Sequence, residues 1–156
     1  MRIINQETAN TPTADLVPHP DNPRRGDTPA IQDSILANGF YGTVIAQRST
    51  GRILAGNHRY KAAVENGATE IPVTWVDVDD DEAKRIMLAD NRTNDLATYD
   101  DEALAEILSG LGDLTGTGYT DTDLDNLIPA APDDFREYDD DIHTDHQCPK
   151  CGYKWS

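Results

Sequence analysis

The sequence LAGNHRYKAA, residues 54–63, predicts a strand end, a tight turn at a glycine and the start of a helix, and the other predicted elements are arranged around it. Gly56 has no Cβ, so the backbone can turn sharply there. The helix that follows begins at about Asn57, and its first amides have no partner within the helix. Together with the positive end of the helix dipole, these amides form a site for an anion.

Three side chains in the first turn of this helix strengthen the anion hypothesis. His58, Arg59 and Lys61 supply hydrogen-bond donors and positive charge within one helical turn. A phosphate group is the ligand that such a turn suits best. The alternative is an ordinary strand–helix junction in which His58 and Arg59 make structural hydrogen bonds, and the spacing alone leaves both interpretations open.

Helices and strands alternate on both sides of this turn. Residues 28–39 predict a helix with Thr28 as its capping residue, a proline in its first turn and Gly39 at its end. A hairpin turn at residues 49–52 joins two strands, and the second strand leads into Gly56. The other predicted elements are strands at 2–4, 15–18, 43–48, 53–55 and 71–78 and a helix at 57–66, with residues 10–12 as an irregular lead-in.

The segment HPDNPRRGD, residues 19–27, interrupts this alternation. Its prolines and glycine exclude a helix or a central strand, so we expect a loop. Arg24 and Arg25 lie side by side in this loop, which makes sense if they face an anion. The alternative is a solvated surface loop.

The net charge of −16 is concentrated in the second half of the chain. Residues 1–76 contain seven basic and seven acidic residues, whereas residues 77–145 contain four basic and 22 acidic residues. The first half can therefore carry a local basic site, while the second half repels nucleic acid. The sequence has no apolar run of about 18 residues and begins without a signal-peptide pattern, so we expect no membrane span and a cytoplasmic location.

The acidic half predicts helices followed by a linker. Acidic residues at 79–82 cap a helix that runs to about residue 95, and further helices are expected at 100–111 and 120–128. The predicted organisation comprises a core domain at 14–97, an acidic helical extension at 98–128, an acidic linker at 129–142 and a tail at 143–156.

The tail contains the only two cysteines of the chain. Cys148 and Cys151 form a C-P-x-C-G sequence, which is the spacing of a zinc knuckle. Structural zinc takes four ligands, and His143 and His146 are the remaining candidates in the tail, although a second chain could complete the site instead. A redox pair of thiols is the alternative.

The region from residue 16 to about residue 96 resembles the ParB-like/sulfiredoxin fold. The similarity rests on the Asn22-Pro23-Arg24 loop, the helix that ends in Asn38-Gly39, the hairpin, the Gly56-Asn57-His58-Arg59-Tyr60 turn and the Asp90-Asn91-Arg92 sequence. It implies an α+β fold with a small mixed sheet and packed helices. The acidic helices and the C-P-x-C-G tail are similar to small ParB-domain proteins of bacteriophages and mobile elements.

This resemblance implies nucleotide binding. Partitioning ParB proteins have a G-E-R-R turn that binds CTP phosphates, and sulfiredoxins have a G-C-H-R turn used with ATP. Gly56, Asn57, His58 and Arg59 occupy these positions, so the resemblance assigns them to the phosphates. Because Asn57 replaces the reactive cysteine, sulfinic acid repair is not carried over. Asp90 and Asn91 match an acid–asparagine pair that helps to hold magnesium.

A free serine kinase with this fold suggests phosphoryl transfer to a small molecule, with Asp21 as the counterpart of its catalytic acid. Asp90 and Asp21 are therefore the candidate catalytic residues, and Arg24 and Arg25 are expected to close over the phosphates.

Three functions follow as hypotheses. The first is a domain that binds ATP or CTP with magnesium and performs phosphate chemistry linked to DNA metabolism, as an NTPase, a kinase or a pyrophosphate-transfer enzyme. The second is a nuclease, and the third is a non-catalytic regulator that senses a nucleotide and binds a protein partner such as a DNA-modifying enzyme. We expect phage or mobile-element origin, hence host cytoplasm, and the chain is a candidate homodimer.

Overall fold

The computed structural model of the chain describes residues 1–128 and 146–155. The strands are β1 (Gln6–Pro12), β2 (Val17–Pro18), β3 (Val44–Gln47), β4 (Arg52–Ala55), β5 (Glu70–Val76), β6 (His146–Gln147) and β7 (Lys154–Trp155). The helices are α1 (Thr28–Asn38), α2 (Asn57–Glu65), α3 (Asp80–Asp95), α4 (Asp101–Gly110) and α5 (Asp121–Leu127), and a 3₁₀ turn covers Thr13–Asp15. The predicted linker at 129–142 and His143 lie outside the described residues.

A mixed sheet of five strands, in the order β1-β5-β3-β4-β2, forms the centre of the fold. β3 runs antiparallel to β4 and parallel to β5, β1 is antiparallel to β5, and β2 is parallel to β4. The predicted α+β architecture, a small mixed sheet with packed helices, is confirmed. No helix in the described part of the chain is both long enough and apolar enough to cross a membrane.

Consecutive residues of β4 anchor the two faces of this sheet. Ile53 packs in one buried apolar cluster together with Ala63 of α2, and Leu54 packs in a second cluster together with Ala83 of α3. Because successive side chains of a strand point to opposite faces, one short strand holds a helix on each side. The end of β4 is therefore fixed from both faces, and this is where the chain turns into α2.

The turn itself requires glycine. Gly56 has a φ of 87°, in the left-handed region that glycine adopts without strain. A Cβ at this position would lie 3.3 Å from Cγ2 of Val44 in β3. The sequence prediction of a glycine turn between a strand and a helix is thus confirmed.

The strand predicted at residues 2–4 is wrong in position. The first strand is β1, and it pairs along its whole length with β5, from Gln6 opposite Val76 to Pro12 opposite Glu70. Its side chains are exposed except for Thr11, so its sequence lacks the apolar alternation that marks a half-buried strand. β1 is an edge strand held by its backbone ladder, which also explains why a proline is tolerated at its end.

The capping residue of α1 also differs from the prediction. Asp27 precedes the helix, and its carboxylate accepts a hydrogen bond of 3.2 Å from the Ala30 amide, while Thr28 is the first helical residue. Aspartate and threonine are both favoured as the N-terminal cap of a helix, and in α1 the cap is Asp27, one residue before Thr28. The ends of α1 and the remaining helices otherwise lie within about two residues of the sequence prediction.

Asn57 ties the turn to the loop that precedes α1. Its side chain is buried, accepts a hydrogen bond of 3.1 Å from the His19 amide and donates one of 3.2 Å to the Ile53 carbonyl. The amide group thereby satisfies a donor on one segment and an acceptor on another. This cross-link fixes the start of α2 against the loop at residues 19–27.

Replacing Asn57 with alanine leaves the His19 amide and the Ile53 carbonyl without this partner. We expect the free energy of unfolding to fall by about 2 kcal/mol, because an unsatisfied buried polar group costs about 1–3 kcal/mol. Urea denaturation followed by circular dichroism measures the change. Asn10→Ala, at an exposed position of β1, is the control and should cost less than about 0.5 kcal/mol. Equal losses in the two variants would contradict the cross-linking role.

Candidate functional site

A cavity of about 700 Å³ opens where β4 turns into α2. Its walls come from the loop before α1, from α1, from the β4–α2 turn, from α3 and from the α4–α5 loop. The lining residues that carry polar groups or shape the walls are Asn22, Arg24, Ile31, Ser34, Ile35, Tyr41, Thr43, Gly56, Asn57, His58, Arg59, Asp90, Asn91, Asn94, Thr117 and Gly118.

The amino-terminal end of α2 faces this cavity without a side-chain cap. Gly56 takes the capping position, and no side chain accepts a hydrogen bond from the first turn. The first amides of a helix have no intrahelical acceptor, so they are available to a ligand. The uncapped amides therefore face the cavity at the turn for which the sequence predicts an anion site.

Arg59 lies at the same end of α2, held by two contacts. Its Nη1 donates a hydrogen bond of 3.3 Å to the Thr43 carbonyl, and its guanidinium lies 5.9 Å from the centre of the Tyr41 ring. A Cβ on Gly42 would come within 3.3 Å of the same Nη1. These contacts keep the positive charge at the cavity wall while leaving other guanidinium donors for a ligand.

The loop before α1 is joined to α3 across the cavity. Arg24 donates a hydrogen bond of 2.8 Å to the Asn91 carbonyl and pairs with the Asp95 carboxylate at 3.0 Å. The Asn91 side chain donates a hydrogen bond of 3.1 Å to the Asn22 side chain. The Asn22-Pro23-Arg24 and Asp90-Asn91 sequences, far apart in the chain, therefore meet at one cavity.

Comparison with models of known protein families assigns the chain to a family. The model described as "ParB N-terminal domain" matches residues 3–92, which is more than half of the 156 residues. The chain belongs to the ParB N-terminal domain family. A comparison with curated protein sequences finds no match.

Solved structures agree with this ParB assignment at the level of fold. The C-terminally truncated chromosome-partitioning protein ParB from Caulobacter crescentus, complexed with CTP-γ-S, is 21% identical with a TM-score of 0.59, over 78% of this chain and 70% of that chain. A Pnob8-like ParB-N domain is 16% identical with a TM-score of 0.52, over 67% of this chain and 44% of that chain.

The ParB cavity does not bring every predicted residue together. Asp90 lines it, whereas Asp21 and Arg25 are outside the lining. The Asp21 carboxylate lies 3.9 Å from the ammonium group of Lys84. The Asn57 side chain is engaged with the His19 amide and the Ile53 carbonyl, so only its backbone is free to serve a ligand.

Several lining residues were missed by sequence reasoning. Ile31 and Ile35 of α1 contribute to the cavity wall, and Ile35 also packs against the core cluster that contains Ile53. Thr117 and Gly118 reach the cavity because their loop docks on α1, where the Asn38 side chain donates a hydrogen bond of 3.0 Å to the Gly116 carbonyl. No local pattern in the sequence signals this long-range contact.

His58 is poised as a neutral acceptor in the ParB cavity. Its Nε2 accepts a hydrogen bond of 2.8 Å from the Gly26 amide, which requires a lone pair on that nitrogen. Burial, followed by the charges of Lys61 and Arg24, holds the pKa of His58 below its ordinary value of 6.5. Protonation at Nε2 breaks the bond to Gly26 and frees a charged donor for an anion.

We expect the imidazole of His58 to titrate below pH 6.5 in the free protein. The unfolded chain takes up this proton near pH 6.5 and the folded chain only at lower pH, so stability from neutral His58 is present above pH 6.5 and declines as the pH falls below it. Histidine-detected NMR, with the signal assigned by its loss in His58→Gln, measures the midpoint. A midpoint above 6.5 would contradict the neutral acceptor.

The tail hairpin carries the predicted zinc residues. Cys148 and Cys151 are both free thiols, and hydrogen bonds from the backbone amides of Lys150 and Cys151 hold the pKa of the Cys148 thiol below its ordinary value. In residues 1–128 and 146–155, no three histidine, cysteine or acidic side chains are grouped to hold a metal ion. The His143–His146–Cys148–Cys151 set is therefore not shown as one site.

Proposed function

We propose that this ParB N-terminal domain binds a nucleoside triphosphate, with its phosphates at the amino-terminal end of α2. The observation that carries the proposal is an uncapped helix terminus opening into a cavity that His58, Arg59 and Arg24 line. Backbone amides, the helix dipole and fixed cations all favour a group with several negative charges. The cavity volume of about 700 Å³ lies within the range of ligand sites.

We expect Arg59, Arg24 and His58 each to change their contacts or their charge when the phosphates bind. Arg59 keeps its bond to the Thr43 carbonyl and turns its free donors to the phosphates. Arg24 exchanges the Asn91 carbonyl and the Asp95 carboxylate for phosphate oxygens. His58 takes up a proton, since a neighbouring anion favours the charged imidazole.

The base and ribose are assigned to the wall formed by α1 and the segment after it. Ile31, Ile35 and Tyr41 give this wall an apolar character, and Ser34 adds a hydroxyl group. We favour CTP, because the Caulobacter ParB that this fold resembles was solved with CTP-γ-S, and ATP is the comparison ligand.

Magnesium is assigned to Asp90 together with the phosphates. Of the described residues that line the cavity, Asp90 alone carries a carboxylate, and Asn91 adds an amide oxygen. Magnesium is commonly held by one or two carboxylates plus phosphate oxygens, so this donor set fits the ion. A nuclease that uses two metal ions needs more acids than the described cavity supplies, which disfavours the nuclease hypothesis.

One observation favours a nucleotide sensor as the second candidate function. The Asn57 side chain is committed to the His19 amide and the Ile53 carbonyl, so no reactive group stands at this position of the turn. Phosphoryl transfer would require Asp21 to leave Lys84 and enter the cavity. Tight binding with no measurable turnover is the expected behaviour of the sensor, and rapid release of phosphate supports the enzyme. Phage origin, a DNA-linked role and a protein partner remain proposals that rest on the family resemblance.

Replacing Arg59 with alanine should weaken CTP binding at least tenfold, which corresponds to about 1.4 kcal/mol. The guanidinium is lost while the fold keeps the helix terminus, so the effect falls on the phosphates. Isothermal titration calorimetry with CTP, ATP and GTP in the presence of magnesium measures the affinities.

Arg48 and Arg25, which both lie outside the cavity lining, are the controls for this measurement. Arg48→Ala removes an exposed arginine that pairs with Glu7 away from the cavity and should leave the affinity within about twofold. Arg24→Ala should weaken binding, whereas its neighbour Arg25, outside the lining, should be dispensable. Undiminished affinity in Arg59→Ala would remove the proposed phosphate site.

A further inference from the structure

The cysteine hairpin of the tail has the backbone geometry of a metal-binding turn. β6 and β7 pair His146 with Trp155 and Gln147 with Lys154. Inside this ladder, the Cys148 amide donates a hydrogen bond of 2.7 Å to the Tyr153 carbonyl, and the Gly152 amide donates one of 2.9 Å to the Cys148 carbonyl. Gly152 has a φ of 79°, so the turn that follows Cys151 depends on glycine.

The two cysteines of the hairpin lie in the same turn. Cys151 follows Cys148 by three residues, and the Gly152 amide closes the turn on the Cys148 carbonyl. The C-x-x-C spacing is typical of structural zinc sites, which commonly use thiolate ligands. One hairpin therefore places two potential sulfur ligands in a single hydrogen-bonded turn.

One hairpin nevertheless supplies only half of a structural zinc site, which takes four ligands. His146 is the nearest other candidate in sequence, but its ring packs 5.7 Å from the Trp155 ring, and the described residues contain no group of three metal-binding side chains. A hairpin of two short strands is marginal in water on its own, so its fold depends on a further constraint.

We propose that one zinc ion is held by Cys148 and Cys151 of two copies of this chain, as a tetrahedral site of four thiolates. A second copy supplies the same geometry and the same pair of sulfur ligands, which satisfies the symmetry of a two-fold interface.

The surroundings of the cysteines fit this second copy. Tyr153 and Trp155 stack with ring centres 6.4 Å apart, and their side chains are 71% and 44% exposed, so they offer an apolar surface beside the sulfur pair. A zinc ion with four thiolates carries a net charge of about −2. Residues 146–155 contain two lysines, Lys150 and Lys154, and no acid, so each hairpin brings compensating positive charge.

The zinc proposal is independent of the nucleotide cavity. It joins two ParB domains through their tails and so places two cavities in one assembly. The nucleotide proposal can fail while the zinc site stands, and the converse also holds.

Zinc content and mass of the full chain test the proposal directly. The protein is purified reduced in zinc-containing buffer, freed of excess metal by gel filtration, and examined by inductively coupled plasma mass spectrometry and by multi-angle light scattering. We expect one zinc per two chains and a mass twice the 17.2 kDa of one chain. A strong chelator should remove the zinc and return the protein to a monomer.

Substitutions identify the ligands. Cys148→Ser and Cys151→Ser should each lose zinc and the dimer, whereas His143→Ala and His146→Ala should keep both. Cobalt substitution provides a second readout, with sulfur-to-cobalt charge-transfer bands and the visible spectrum of a tetrahedral four-sulfur site.

Three results would overturn the proposal: absence of zinc from the reduced wild-type protein, one zinc per monomeric chain, or loss of zinc in the histidine variants. The last two together would instead establish a site of two cysteines and two histidines within one chain. Unchanged helical content in the cysteine variants, measured by circular dichroism, shows that the core domain remains folded.

Discussion

The glycine turn between β4 and α2 is the constraint on which the rest of this structure depends. β4 is anchored on both faces of the sheet, by Ile53 on one side and Leu54 on the other. Gly56 then reverses the chain against Val44, and the Asn57 side chain fastens the start of α2 to the His19 amide. These contacts fix the position of the amino-terminal end of α2, so the amides of its first turn face the cavity.

Electrostatics explains how the cavity accommodates Arg24, Arg59 and His58 side by side. Arg59 is directed at the Thr43 carbonyl, Arg24 at the Asn91 carbonyl and the Asp95 carboxylate, and His58 is neutral. The partners of Arg24 and His58 can be displaced by an anion with several charges, whereas Arg59 has free donors beside its bond to the Thr43 carbonyl. The arrangement lowers repulsion between the cationic groups without removing donors from the site, and an anion bound beside His58 would favour uptake of a proton.

The local parts of this fold could be read from the sequence, and the long-range parts could not. Gly56 and the ends of α1 carry their own signals of glycine, proline and capping residues. The resemblance to ParB-like domains assigned Arg24 and Asn91 to one site, but it did not predict that the Asn22 side chain accepts a hydrogen bond from Asn91. The position of β1 was not predicted, because an edge strand with exposed side chains needs no alternation of apolar residues. The sequence assigned Asn57 to the phosphates and indicated no structural role for its side chain. That side chain is buried and hydrogen-bonded to the His19 amide, which only the packed structure reveals.

Amide mapping by NMR tests whether a nucleotide binds with its phosphates at the start of α2. Magnesium and CTP are added to ¹⁵N-labelled protein, and shifts are followed for every assigned backbone amide. We expect the largest downfield changes at the amides of residues 56–59, because the phosphates accept hydrogen bonds from them. Saturating binding that leaves these amides unmoved, with shifts confined to another surface, would show that the phosphates bind elsewhere.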